Sequence, residues 1–143
     1  MATVELNYTN NNTITITLAS LTNGSRATSS TIDNSSTKFL SADVQVKIRT
    51  GAGTSATGTV TIYFIRSVDG GTTFDDSTDN AEVLGVFNAN TDTTDFIFSV
   101  DTTVAGTLPS HWKIAVKNDS GATFNVTSSN FYAKFAGKKF NVV

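Results

Sequence analysis

Apolar and polar residues alternate along most of this chain with a period of two, and the alternating positions are rich in β-branched and aromatic side chains. That is the pattern of extended strands, whose successive side chains leave opposite faces. In residues 59–66, Val60, Ile62 and Phe64 alternate with Thr61, Tyr63 and Ile65, so both faces carry apolar groups and a central strand is predicted. Next comes Ser67-Val68-Asp69-Gly70-Gly71-Thr72-Thr73-Phe74. It supplies an Asp to accept local N–H groups and two glycines that take positive φ at little cost, which is hairpin-loop chemistry.

The rest of the chain reads the same way. Residues 13–18 predict a half-buried strand with Ile14, Ile16 and Leu18 inward. Residues 20–37 are nearly all small and polar, and read as a long surface loop with one short strand near Ile32. Residues 43–50 predict a strand with Val44, Val46 and Ile48 inward, joined to the central strand by a flexible, glycine-rich hairpin tip at 51–58. Residues 81–87 form an apolar segment broken by Gly85, where a bulge or a close-contact point is expected. Phe96, Phe98 and Val100 share one face of a strand at 95–100, and residues 101–110, with Pro109, read as a crossing between sheets. Trp112, Ile114 and Val116 point inward from 111–118; a turn at 118–121 and a last strand at 131–135 follow.

No window places apolar residues at helical spacing behind a cap, so little or no helix is predicted. About eight strands joined by tight turns and long crossings give an all-β, antiparallel two-sheet sandwich, with a jelly-roll order preferred to an immunoglobulin-like one. The division expected is an extended N-terminal arm at 1–12, a sandwich at 13–137 and a C-terminal tail at 138–143. Val4, Leu6 and Tyr8 alternate with polar residues in the arm, and Lys138, Lys139, Phe140 and Val142 make the tail basic and then apolar. Either segment can add to a sheet edge, in this subunit or a neighbour, so these seven are the candidate interface residues. Frayed termini are the plain alternative.

Composition narrows the function. A chain of 143 residues with one proline is one domain, able to bury roughly two-thirds of its unfolded surface. A net charge of -2 and a pI near 5.1 supply no basic surface for phosphates, so no nucleic-acid partner is expected. Cysteine is absent, which removes disulfides and thiolate metal sites. No basic-then-apolar leader and no bilayer-length apolar run occur, so no membrane partner is expected and the chain reads as made and folded in a cytosol. Asn-x-Ser/Thr triplets at Asn7, Asn11, Asn23, Asn34, Asn118 and Asn125 are taken as unmodified turns.

Candidate chemistry is thin. His111 is the single histidine and reads as an exposed strand-end residue; a Ser-His-Asp device would have to use it. Asp69, Asp75, Asp76, Asp79 and Glu82 could offer oxygens to calcium, but lack the spacing of a calcium loop and read as solvated turns. Glu5 and Glu82 are the only glutamates, a weak basis for glycoside hydrolysis. Tyr8, Tyr63 and Tyr132 could stack on sugars, whereas Trp112 reads as core. No enzymatic activity, no cofactor and no bound metal are expected.

Residues 67–74 fit the spacing Ser-x-Asp-x-Gly-x-Thr-Phe, which resembles the Asp-box of sialidases and other carbohydrate-associated β proteins. There it is a structural hairpin away from the active site. Residues 41–121 as a whole combine the Arg66-Ser67-Val68-Asp69-Gly70-Gly71 turn, the Trp112-Lys113-Ile114 strand and the Asn118-Asp119-Ser120-Gly121 turn. In that combination the chain resembles small accessory virion proteins of tailed bacteriophages. The resemblance implies a β-sandwich decoration or cement protein that bridges capsomers, found in the virion and made in the host cytoplasm. Its partners would be the major capsid protein or other virion subunits, and it would be a homo-oligomer, a trimer by preference. The alternative implied is a carbohydrate- or host-receptor-binding module of a phage tail or fibre.

Overall fold

The structure is a computed structural model that describes residues 1–52, 58–76 and 81–143. Nine strands occupy the described residues: β1 (Val4–Thr13), β2 (Arg26–Thr28), β3 (Ile32–Asp33), β4 (Ser41–Arg49), β5 (Gly58–Ser67), β6 (Glu82–Ala89), β7 (Asp95–Asp101), β8 (His111–Asp119) and β9 (Tyr132–Val142). The helical pieces among them are single 3-10 turns at Thr102–Ala105 and Ser128–Asn130. All pairings are antiparallel. One sheet runs β1-β9-β4-β7; the other runs β2-β8-β5-β6, with β3 also on β8.

These partners follow a single rule. Val4 lies opposite Val142, Arg26 opposite Lys117, Ile32 opposite Trp112, Asp43 opposite Asp101, and Thr59 opposite Asn88. The midpoint of each of these pairs falls between residues 71 and 74, inside the Asp69 loop. The chain is therefore one long antiparallel ribbon that doubles back at its middle. Pairing of β9 with β4 and of β8 with β5 rolls that ribbon into two sheets, which is the jelly-roll topology.

The inner faces come from the alternation already described. Val44, Val46, Ile48, Val60, Ile62, Trp112, Ile114 and Val116 are each at most 1% exposed. Trp112 and Phe64 stack in one sheet with ring centroids 5.6 Å apart, and Trp112 meets Phe135 of the other sheet edge-on at 5.3 Å. Phe87 of β6 and Phe98 of β7 form a second bridge at 4.7 Å. Aromatic pairs of this geometry add to area burial and clamp one sheet to the other. At Gly85 the β5–β6 register shifts between Ile62 and Tyr63, so the expected bulge is present.

Three local expectations are corrected. Strands β4 and β5 are not a hairpin, because they lie in different sheets and both edges of β4 are filled by β7 and β9. The expected tip falls largely on residues 53–57, which lie outside the described residues. Residues 14–18 are extended and bury Ile14 and Leu18, but they are not a strand. Here the chain crosses between sheets: Ile14 N–H donates to Ala133 C=O at 2.9 Å, and Thr15 C=O accepts from Ser30 N–H at 2.9 Å. The polar stretch before β4 contains β2 besides the strand at Ile32.

Two buried asparagines close the loops. Asn34 donates to Phe39 C=O at 2.9 Å and accepts from Phe39 N–H at 2.8 Å. Asn118, 0% exposed, donates to Leu21 and Ala122 carbonyls at 2.9 and 2.8 Å and accepts from the Ser120 hydroxyl at 2.6 Å. Both side chains are consumed in satisfying loop backbone, the reason an amide sits in a dry place. Removing one inter-sheet ring should be costly: Phe64→Ala is expected to lower unfolding free energy by about 3–5 kcal/mol. Denaturant titration followed by the fluorescence of Trp112, which the variant retains, measures it.

Candidate functional site

At the tip of the ribbon, Asp69 organises the loop. Its carboxylate accepts from Thr72 N–H at 3.1 Å, Thr73 N–H at 2.9 Å and the Ser67 hydroxyl at 2.8 Å, and also from the Thr73 hydroxyl. Gly71 N–H donates to Ser67 Oγ at 2.9 Å, and Gly70 and Gly71 hold φ of 74° and 93°. The hydrogen bond from Thr73, followed by the others, holds the Asp69 carboxyl well below the usual carboxylate range. All of these donors belong to the loop itself, backbone N–H groups and the Ser67 and Thr73 hydroxyls, so this is an architectural device.

The other acidic candidates are engaged in similar ways. Asp75 Oδ1 accepts from Arg66 N–H at 2.6 Å, and Glu82 meets the Arg66 guanidinium at 3.3 Å. Asp76 uses its backbone carbonyl to accept from Arg26. Asp79 lies outside the described residues. No group of three or more His, Asp or Glu side chains converges among the described residues.

His111 packs beneath the same loop, where a Cβ on Gly71 would come within 3.0 Å of its ring. Its Nδ1 is 3.0 Å from Ser110 Oγ and its Nε2 is 3.5 Å from Asp33 Oδ1. These three residue types stand in contact, and the sequence reading did not anticipate Asp33. Asp33 is paired with His111 across β3 and β8, 78 residues away in the chain, and no local signal links them. The Asp33 side chain is 61% exposed and also accepts from Ser35 N–H at 2.8 Å. An open carboxylate of this kind pins β3 to β8 and lacks the burial that orients a catalytic imidazole.

The tyrosines do not form a row. Tyr132 donates to Gln45 Oε1 at 2.9 Å and carries the Lys134 ammonium 4.6 Å above its ring. Tyr63 belongs to the other sheet, beneath the Arg26 guanidinium. Trp112 is 1% exposed.

The seven candidate interface residues are brought together. Strands β1 and β9 pair from Val4–Val142 to Thr13–Lys134, with a break in register between Thr9 and Asn12. Directly opposed residues share a face, so Val4, Leu6, Tyr8, Lys138, Phe140 and Val142 line the outer face of this ribbon. Lys139 lies on the opposite face, reaching Thr37 C=O at 3.5 Å and the ring of Phe39. Strand β4 supports β9 only as far as the pairing of Ser41 with Lys138, after which Leu40 N–H bonds Lys138 C=O. Beyond that point residues 3–7 and 139–143 have no third strand beside them among the described residues, only the loop at 36–40 next to residues 139–141. Their outer face is apolar and open: Val4 is 63%, Leu6 47%, Phe140 60% and Val142 73% exposed.

Lys138 is not available to an external acidic surface. Its ammonium lies 2.7 Å from Asp101 Oδ2 and 2.9 Å from Asp43 Oδ1. The Asp101 bond raises the Lys138 pKa against the opposing effect of burial. On Asp101, burial pushes upward, but the bonds from Lys138 and Thr103 outweigh it and the net direction is downward.

No protein-family model matches the chain, and no curated protein matches it either.

The signs of these shifts set a pH profile. Asp101 contributes stability above its unfolded pKa, near 3.8, and loses it as pH falls further; Lys138 contributes below 10.5 and loses it as pH rises through its raised value. Thermal unfolding midpoints are therefore expected to fall at both extremes. In Lys138→Met the alkaline fall should flatten while the acid fall, shared with Asp69, persists. Asp69→Asn should do the reverse, and scanning calorimetry of both variants across pH distinguishes them.

Proposed function

We propose that this protein is a non-enzymatic structural subunit of a tailed-phage particle, a decoration or cement protein that docks on the shell and bridges its capsomers. The observation that carries the reading is the projecting β1–β9 ribbon. Two strands without a third are marginal in water, and an apolar face on such a ribbon adds the cost of exposed Val4, Leu6, Phe140 and Val142. A capsomer surface that covers this face removes both costs at once. The fold is suited to that work: it is held by backbone pairing and aromatic bridges, and it uses no cysteine. Many copies on one shell multiply a modest contact into firm attachment.

The test uses the purified protein and emptied, expanded capsids of the phage that encodes it. Co-sedimentation and a raised capsid melting temperature are expected, and Phe140→Asp should abolish both while leaving the protein's own unfolding midpoint unchanged. No binding to the capsid, with retention on a glycan array, would replace this reading by the receptor-binding one.

A further inference from the structure

The open edge of β1 is distinct from the ribbon's outer face, and among the described residues it is the least protected sheet edge. Of the other three edges, β2 is three residues long, β6 is bulged opposite Ile62 and Tyr63, and β7 has an aspartate at each end. Short length, bulges and charges are the usual means of keeping strand edges from pairing. Strand β1 is ten residues long, has no proline or lysine, and carries Glu5 as its single charge. Its bulge begins after Thr9 and leaves Val4, Glu5, Leu6, Asn7 and Tyr8 regular and exposed.

The direction of the backbone groups follows from the ladder. Thr3 and Val143 exchange both N–H···O bonds, at 3.0 and 2.9 Å, so the odd-numbered residues of this part of β1 bond to β9. The N–H and C=O of Val4, Leu6 and Tyr8 therefore point away from β9, into the open edge.

We infer that this edge pairs with the same edge of a second copy, antiparallel about a two-fold axis at Leu6. Leu6 then exchanges both backbone bonds with Leu6 of the second copy, and Val4 does so with Tyr8, so every outward group of the regular segment is satisfied. The side chains agree with that register. Glu5 lies opposite Asn7 of the second copy, whose amide can donate to the carboxylate. Lys139, opposite Asn7 in β9, lies in the same row at roughly 9.5 Å from Glu5, two strand spacings, within reach of both long side chains. An axis at Glu5 would set two carboxylates face to face, and one at Asn7 would drive Val4 onto the bulge at Asn10. The product is an isologous dimer with one continuous eight-stranded sheet. It differs from the trimer expected from the resemblance, and it joins the two outer apolar faces into one larger patch.

Solution mass tests this without any capsid, so its outcome is separate from that of the docking reading. Sedimentation equilibrium is expected to give twice the 15.1 kDa chain mass; a monomer or a trimer overturns the inference. In Leu6→Pro the lost N–H belongs to the open edge and no β1–β9 bond is removed. Circular dichroism should be unchanged while the dimer dissociation constant rises by at least roughly thirtyfold, from two lost hydrogen bonds. A Leu6→Pro variant that stays dimeric overturns the inference. Glu5→Lys should also weaken the dimer, and adding Lys139→Glu to the same chain should restore it; an unchanged mass for Glu5→Lys overturns the Leu6-centred register.

Discussion

A peptide group taken out of water must find a hydrogen-bond partner, and in this chain the partners of the first half lie in the second half, in reverse order about the Asp69 loop. That constraint makes the molecule a folded ribbon before it is a sandwich. Because β1 is tied to β9 and β4 to β7, the strands cannot choose neighbours independently. Rolling the ribbon is the way both apolar faces can be covered, and it places Trp112 and Phe64 against Phe135 across the interior.

The same constraint places the candidate surfaces. A ribbon has a closed end and an open end. The closed end is the Asp69 loop, whose carboxylate is spent on Thr72 and Thr73 and whose neighbour His111 is braced against Asp33. The open end is the pair of chain termini in β1 and β9, where the second sheet and β4 no longer give support. Apolar side chains there pack only against each other across the β1–β9 pair and stay largely exposed, and backbone groups of β1 face outward. Such a surface offers apolar area and unpaired strand backbone, the features on which the proposed attachment rests.

Charge plays a local part. Lys138 would have been a natural contact for an acidic partner, but Asp43 and Asp101 flank it from β4 and β7 and turn it into a staple across three strands. Asp95 similarly receives Lys47 and Arg49 on the same outer face. With these charges paired internally, the first sheet leaves the apolar ribbon as its most distinctive exterior feature.

Much of this was legible in the chain. The period-two pattern identified the strands from β4 to β8 and their inward residues, because the side-chain period is a local property of extended backbone. The Asp69 loop and the Gly85 bulge were legible for the same reason, since turn chemistry acts over a few residues. The apolar alternation of Val4, Leu6 and Tyr8, and of Phe140 and Val142, likewise marked the candidate surface. Pairing is not local. That residues 14–18 cross between sheets instead of joining one, that β4 and β5 part company, that Lys138 is held by Asp101, and that His111 meets Asp33 all depend on register between segments far apart in the chain. Sequence by itself determined which residues face inward, since alternation requires only neighbours; the tertiary structure alone decided which strands meet, because each hydrogen-bonded partner is supplied by a distant part of the chain.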